Sequence, residues 1–381
     1  MSDPLLTRFF RYLPFDCQTK LRGHKVQASL GQRALAELLC SELAELGLKE
    51  ITLAKDGVLT ALLPASTANK PTIGWLVNLA TPAELNCQAV APEILPCYRG
   101  GDISLGESQV CISPVQFPFM HQLHEHTLVI GDGKHGLGAQ SKGAIALVMW
   151  VLEQLQHQVR GNNIRVAFVP DNGVALTADF FTHFRCDVLF SLQAEGVGQL
   201  AVENLYSANL AIQLSDDGEG NVLEYGCALQ HYFSHHIRHG LRLLTLQGNE
   251  QQVKMQYHLT ALEKAAFDQT QSAVERALDN ARGAGVCATL QVYDVVENMA
   301  QCIANAPLAC KVAERAVSQC GLTFASSCAL DTPMGAYLAR FGVACPSLSI
   351  GGFNFATRKA LLSLQGMQHC AKVLLQMAVN G

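Results

Sequence analysis

Four short, nearly unbroken apolar runs, at residues 72–79, 164–169, 187–192 and 345–350, constrain this chain more than any other feature. A strand with one wet face alternates polar and apolar side chains, whereas a continuous run must be covered on both faces, as in a parallel sheet packed between helices. Helical patterns such as 144–156 separate the runs, so the alternation predicts an α/β fold: a mixed, mostly parallel sheet flanked by helices. Local signals agree. Ser29 and Gln32 form a capping-box pair ahead of Leu35, Leu38, Leu39, Leu43 and Leu46, with Gly47 following, which marks a helix of about four turns. Segments 51–53 and 58–63 flank Asp56-Gly57 and read as a hairpin.

The texture changes between about 207 and 297. Short strand patterns at 208–214, 253–259 and 288–295 enclose helical stretches at 229–238 and 266–282, the pattern of an inserted α+β domain. A helix at 306–319 and a closing helix at 364–379 return the chain to the first domain. The expected division is therefore a discontinuous α/β domain of 1–206 and 304–381, with 207–303 inserted as a smaller lid.

Charge and composition exclude several function classes. A formal net charge of -5 with no stripe of Lys or Arg gives nucleic acid nothing to hold. Residues 1–10 lack the basic-then-apolar order of a signal peptide, and the longest candidate membrane stretch, 143–152, is about half of the ~20 residues a spanning helix needs. A soluble, cytoplasmic protein is expected. The fourteen cysteines are scattered through apolar runs (Cys40, Cys186, Cys310, Cys345) without C-x-x-C spacing, which reads as buried free thiols in a reducing compartment.

In α/β proteins, ligands gather at the carboxyl ends of the parallel strands. Here those ends read Asn78-Leu79-Ala80-Thr81-Pro82, Pro170-Asp171-Asn172-Gly173-Val174 and Gln193-Ala194-Glu195-Gly196, and are nearly empty of catalytic groups. Elsewhere the stretch Tyr98-Arg99-Gly100-Gly101-Asp102-Ile103-Ser104-Leu105-Gly106, followed by Ser113-Pro114-Val115-Gln116-Phe117-Pro118 and His121-Gln122-Leu123, resembles the peptidase T branch of the M20 metallopeptidases, which are tripeptide aminopeptidases. Asp132-Gly133-Lys134, Leu137-Gly138-Ala139, Gly196-Val197-Gly198, Glu203-Asn204 and Gly351-Gly352-Phe353-Asn354 fit the same pattern in the same order. The resemblance runs nearly end to end and is weakest in the inserted segment, which corresponds to the family's lid.

The resemblance implies two zinc ions held by an H-x-D pair, a bridging Asp, a Glu, a second Asp and a late His, with a further Glu as general base. Carried over by motif, the H-x-D pair falls on Asn78 and Ala80, and the bridging Asp on Gln140. The base falls on Asn172, its neighbouring ligand on Gly173, the second Asp on Gln193, and the late His on Ala356 or Lys359. Zinc takes imidazole, carboxylate or thiolate, and two dications need anionic ligands between them; amides, methyl groups and a glycine hydrogen supply neither. Asn172 cannot take a proton from water at any useful pH. The family's lid His and its carboxylate-binding Arg are also missing from 215–226 and 253–260.

Other groupings are weighed beside this one. Asp171 and Glu195, with Ser141 and Lys142, form a possible residual cleft, although two acids without a histidine make a poor zinc site. Ser141 beside Lys142 is a weak hint of a serine-lysine hydrolase, because adjacent side chains usually point apart. His231, His235 and His239, with neighbouring His236, have the spacing for one helix face and for a divalent ion; an exposed polar face is the simpler account. Structural roles suffice for His121, His124 and His126. The expectation is thus a catalytically inactive homologue with no cofactor, in a binding, regulatory or vestigial role, which takes a peptide-like ligand or a protein partner through the lid. The alternative is an active tripeptide aminopeptidase with a remodelled or displaced metal site.

Overall fold

The computed structural model describes residues 3–18, 28–83, 85–88, 90–173, 176–216, 221–237 and 240–380, and the backbone alone at Asn172. The chain divides into two compact units, one of Met1–Val202, Met299–Ala329 and Pro333–Gly381, the other of Glu203–Asn298 with Leu330–Thr332.

The first unit is built on an eight-stranded sheet in the order Lys49–Leu53, Leu59–Leu63, Asn163–Val169, Thr72–Asn78, Val188–Ala194, Ser347–Ser349, Gln199–Asn204 and Ala325–Ala329. The four strands corresponding to the apolar runs lie side by side and parallel, which brings their carboxyl ends to one edge. Both faces are covered. Ile73, Trp75 and Val77 join Phe168 and Phe190 in a core with the helices Pro4–Tyr12, Leu30–Glu45, Ala139–Gln154, Leu308–Gln319 and Leu364–Val379. On the opposite face Leu76 packs with Val169, Leu189, Met334 and Leu338. This two-sided burial is why the strands carry no polar alternation.

The predicted helix of 29–47 spans Leu30–Glu45, and both halves of the Ser29–Gln32 capping box form. The hairpin strands pair antiparallel around Gly57, whose φ of +94° only glycine adopts without strain. Three elements differ from the expectation. The helix expected at 144–156 begins at Ala139, because Gly138 takes a left-handed φ of +63° and turns the chain into it a turn earlier. The helix expected at 306–319 forms as Leu308–Gln319, but a short helix that went unread, Ala300–Asn305, precedes it, the two separated at Pro307, which has no N–H to continue the first. The helix Pro4–Tyr12, capped by Asp3 with Pro4 in its first turn, went unread.

The second unit is a four-stranded antiparallel sheet, Leu241–Gly248, Gln252–Ala261, Tyr206–Ser215 and Cys287–Val296 in that order, with the helices Val222–His236 and Lys264–Gly283. Its core joins Leu210, Ile212, Met255, Tyr257, Phe233 and Leu278. All fourteen cysteines are free, but only Cys17, Cys345 and Cys370 are buried; Cys227 and Cys287 are exposed, so the buried-thiol reading holds for a minority. Among the described residues no helix is long and apolar enough to cross a membrane.

Candidate functional site

The edge where the parallel strands end carries Asn78, Asp171, Gly173, Gln193 and Glu195, and the helix Ala139–Gln154 starts beside it. The amides there are engaged locally. Asn78 Oδ1 accepts from the Ala80 N–H at 2.9 Å. Gln140 Nε2 donates to the Gln193 carbonyl at 3.0 Å, and Gln193 Oε1 accepts from the Met334 N–H at 3.3 Å. Glu195 Oε1 accepts from the Phe355 N–H at 3.2 Å and so holds the loop that follows the late strand. Asp171 is buried and adopts a left-handed φ of +57°.

Met334 decides the character of this edge. Gly173 has a φ of +82°, and a Cβ built on it would lie 2.7 Å from Met334 Cγ and 3.3 Å from Sδ. The thioether is fully buried, so apolar packing fills the space into which any side chain at 173 would grow. The side chain of Asn172, the expected base position, lies outside the described residues. Ala356 is exposed on the loop after Gly352–Phe353, and Lys359 Nζ donates to Gln116 Oε1 at 2.7 Å over the Phe117 ring.

Ser141 and Lys142 occupy the first turn of their helix, and both are buried. Lys142 Nζ points at Cys17 Sγ, 2.7 Å away, and no hydrogen bond joins it to Ser141 among the described residues. Burial lowers the lysine below its ordinary value, and the neighbouring Cys17 offsets this in part. Burial likewise pushes the Cys17 thiol up against the opposing pull of Lys142.

His231 and His235 do share a helix face, with rings 4.1 Å apart, but His235 Nδ1 contacts the His231 carbonyl at 2.9 Å. His236 stacks on Tyr232 instead, and His239 lies outside the described residues. His126 Nδ1 meets Ser363 Oγ at 2.7 Å, a structural bond, while His121 and His124 are exposed. A polar row that the sequence reading missed crosses the second unit's sheet. Asn209 donates to Asp294 Oδ2 and its Oδ1 meets His258 Nδ1, both at 3.0 Å, while Arg242 pairs directly across from His258. Burial, then Arg242, lowers the His258 value. No local signal groups these residues, because they lie on four strands whose register the sequence does not give.

Asp132, in the Asp132-Gly133-Lys134 stretch, is a strongly anchored carboxylate in the first unit's loops. Burial works against its charge, but hydrogen bonds from the His135 ring at 2.7 Å and from the His135, Lys134 and Ala91 N–H groups hold it down at about 2. Its folded value lies below the unfolded one of about 4, so its stabilisation is present above pH ~4 and is lost as pH falls through ~2. Asp132→Asn should therefore lower the midpoint of urea unfolding at pH 7 and flatten the fall of that midpoint between pH ~4 and ~2; a variant whose acid limb matches the parent would refute this anchoring.

Comparison with known proteins settles the lineage. Peptidase T of Pasteurella multocida is 32% identical over 400 residues, spanning 97% of this chain and 96% of the relative. Peptidase T of Haemophilus influenzae is 32% identical over 403 residues, spanning 98% and 96%. The chain belongs to the peptidase T family. No family model matches the sequence. Among solved structures, an aminopeptidase PepT from Bacillus cereus superposes with a TM-score of 0.72 at 14% identity, covering 98% of this chain and 97% of that one. A tripeptidase from Staphylococcus aureus gives 0.75 at 12%, with the same coverage. The YXEP protein of Bacillus subtilis, a dinuclear metal-binding peptidase of the M20 family, gives 0.58 at 13% over 98% and 97%. These likenesses confirm the fold: a mixed sheet flanked by helices on the M20 peptidase plan.

Membership of the peptidase T family also corrects the expectation that no cofactor belongs to this protein. The YXEP protein, which shares this fold, is a dinuclear metal-binding peptidase, so the expectation of no cofactor does not stand. The residues at the strand ends do not fit a pair of metal ions. The positions that the resemblance equates with ligands carry amides bonded within the protein, a methyl group and a glycine closed over by Met334. Among the described residues no group of three or more His, Cys, Asp or Glu is arranged to hold a metal ion. Neutral amides neither bind Zn²⁺ strongly nor offset two dications.

Proposed function

We propose that this chain is a catalytically inactive member of the peptidase T family that serves a binding or regulatory role on an aminopeptidase scaffold. One observation carries the reading. Where hydrolysis would need a metal-activated water and a carboxylate base, Met334 packs against Gly173, and the amides of Gln140 and Gln193 close on neighbouring backbone. The substituted positions are Asn78, Ala80, Gln140, Asn172, Gly173, Gln193 and Ala356, and any residual cleft lies around Asp171 and Glu195. The inserted segment, expected at 207–303 and falling mostly in the second unit of Glu203–Asn298, is the lid and the surface on which a partner protein docks. A peptide-like ligand is the chemistry that the scaffold was shaped for, since relatives are named tripeptidase and aminopeptidase.

The test is hydrolysis of a tripeptide such as trialanine by protein supplied in turn with Zn²⁺, Co²⁺ and Mn²⁺, beside an active peptidase T. Turnover below about a thousandth of the active enzyme's is expected, since losing the activated water and its base removes several powers of ten. Turnover within about tenfold of the relative's, abolished by chelator, would overturn the proposal in favour of an active aminopeptidase with a displaced metal site.

A further inference from the structure

The geometry points to a covalent modification site: a cross-link through one oxygen between Lys142 Nζ and Cys17 Sγ, formed by a peroxide-class oxidant. The two atoms lie 2.7 Å apart. An N–H···O hydrogen bond is already about 2.9 Å long, and sulfur is a larger acceptor than oxygen, so this contact is too close for an ordinary N–H···S bond. It suits one bridging atom.

The surroundings hold the pair in place. Both residues are 1% exposed. The Cys17 carbonyl accepts from the Thr81 N–H at 3.0 Å and from Gln32 Nε2 at 3.1 Å, which pins the residue from two sides. Lys142 is fixed by the first turn of its helix, its N–H donating to the Gly138 carbonyl at 3.0 Å. A buried lysine is ordinarily matched by a carboxylate, yet among the described residues Lys142 makes no salt bridge, and the Cys17 sulfur is the group its Nζ approaches. Cys87 is the other thiol that feels this charge, and its Sγ is directed at the Leu85 carbonyl.

The chemistry balances with two equivalents of hydrogen peroxide. The first converts the thiol to a sulfenic acid and releases one water. The second removes the sulfenic O–H hydrogen and one amine hydrogen, joins that oxygen to nitrogen, and leaves as two waters. Four electrons pass from the sulfur and nitrogen to the peroxide. The product S–O–N bridge ties residues 16–18 to the head of the helix that bears Gln140, and excess dithiol returns it to thiol, amine and water.

Peptide mapping of the full-length protein after peroxide treatment tests this. The expected result is a cross-linked pair of peptides containing Cys17 and Lys142, heavier by about 14 Da than their sum (one oxygen gained, two hydrogens lost) and separated again by dithiothreitol. Cys17→Ser and Lys142→Met should each abolish it. Recovery of Cys17 as an uncrosslinked sulfenic or sulfinic acid, or in a disulfide with Cys87, with Lys142 unmodified, would overturn the assignment. Because the parent protein carries the decisive measurement, the outcome does not depend on either variant folding.

Discussion

Gly173→Glu should destabilise the protein by about 3–5 kcal/mol, and added zinc should not restore the loss. Three costs combine. A residue with a Cβ at φ +82° pays about 1–2 kcal/mol. The new Cβ, 2.7 Å from Met334 Cγ, must displace a fully buried side chain whose own N–H is held by Gln193, and overpacking of this kind costs about 1–3 kcal/mol. The carboxylate would then enter a pocket lined by Met334 and Leu176, where a lone charge is expensive. Urea unfolding reads the total. Gly173→Ala separates the first two costs from the third, and the pair Gly173→Ala with Met334→Ala tests their origin. If Met334 is what fills the space, the double variant should fall short of the sum of the two single losses by about 0.5–3 kcal/mol. A Gly173→Glu variant within about 1 kcal/mol of the parent would mean that the edge is open, and would weaken the case for an inactive centre.

The same pocket shows where reading the sequence succeeds and where it stops. The parallel core was legible because burial on both faces leaves a local mark: Ile73, Trp75 and Val77 face one helical layer while Leu76 faces the other. The capping box at Ser29 and the turn at Gly57 are likewise written into neighbouring residues. The strand Leu241–Gly248 was not found, since it is an edge strand whose side chains are mostly half or fully exposed, and solvent imposes no apolar pattern on it. At the candidate centre, the sequence offered a proposal of which positions are substituted, residue by residue. What packs around those positions was not legible. Met334 reaches Gly173 across 161 positions of sequence and Lys142 reaches Cys17 across 125, and no spacing rule links residues so far apart. A lysine in a helix's first turn reads equally well as a solvated charge or a buried one until the fold puts Cys17 beside it.

Glu42→Ala should cost about 3 kcal/mol and should also loosen the Cys17–Lys142 contact. Glu42 is buried to 8% side-chain exposure; its Oε2 accepts from the Tyr12 hydroxyl at 2.5 Å, and its Oε1 lies 2.9 Å from Arg11 Nη2. Arg8, itself mostly covered at 17% exposure, approaches the same carboxylate at 3.7 Å. Removing the anion strands a fully buried hydroxyl, while the Arg8 guanidinium keeps its 3.0 Å pair with Glu153; breaking a buried pair costs about 3–5 kcal/mol, and the surviving Glu153 pair and the exposure of Arg11 argue for the lower end. Arg11→Ala, which removes only the outer partner, should cost less than about 1 kcal/mol. The helix Pro4–Tyr12 leads directly into residues 16–18, which are held at Thr81 by the Cys17 carbonyl and by the Gln18–Thr81 bridge. Unpinning that helix therefore gives Cys17 room to move while leaving Lys142 in place. Urea unfolding measures the first effect, and the yield of the peroxide-induced cross-link measures the second. A large loss of stability with an unchanged cross-link yield would show that the Thr81 and Gln32 bonds alone position the thiol, whereas a loss below about 1 kcal/mol would show that the Tyr12–Glu42 bond contributes no more than a surface pair.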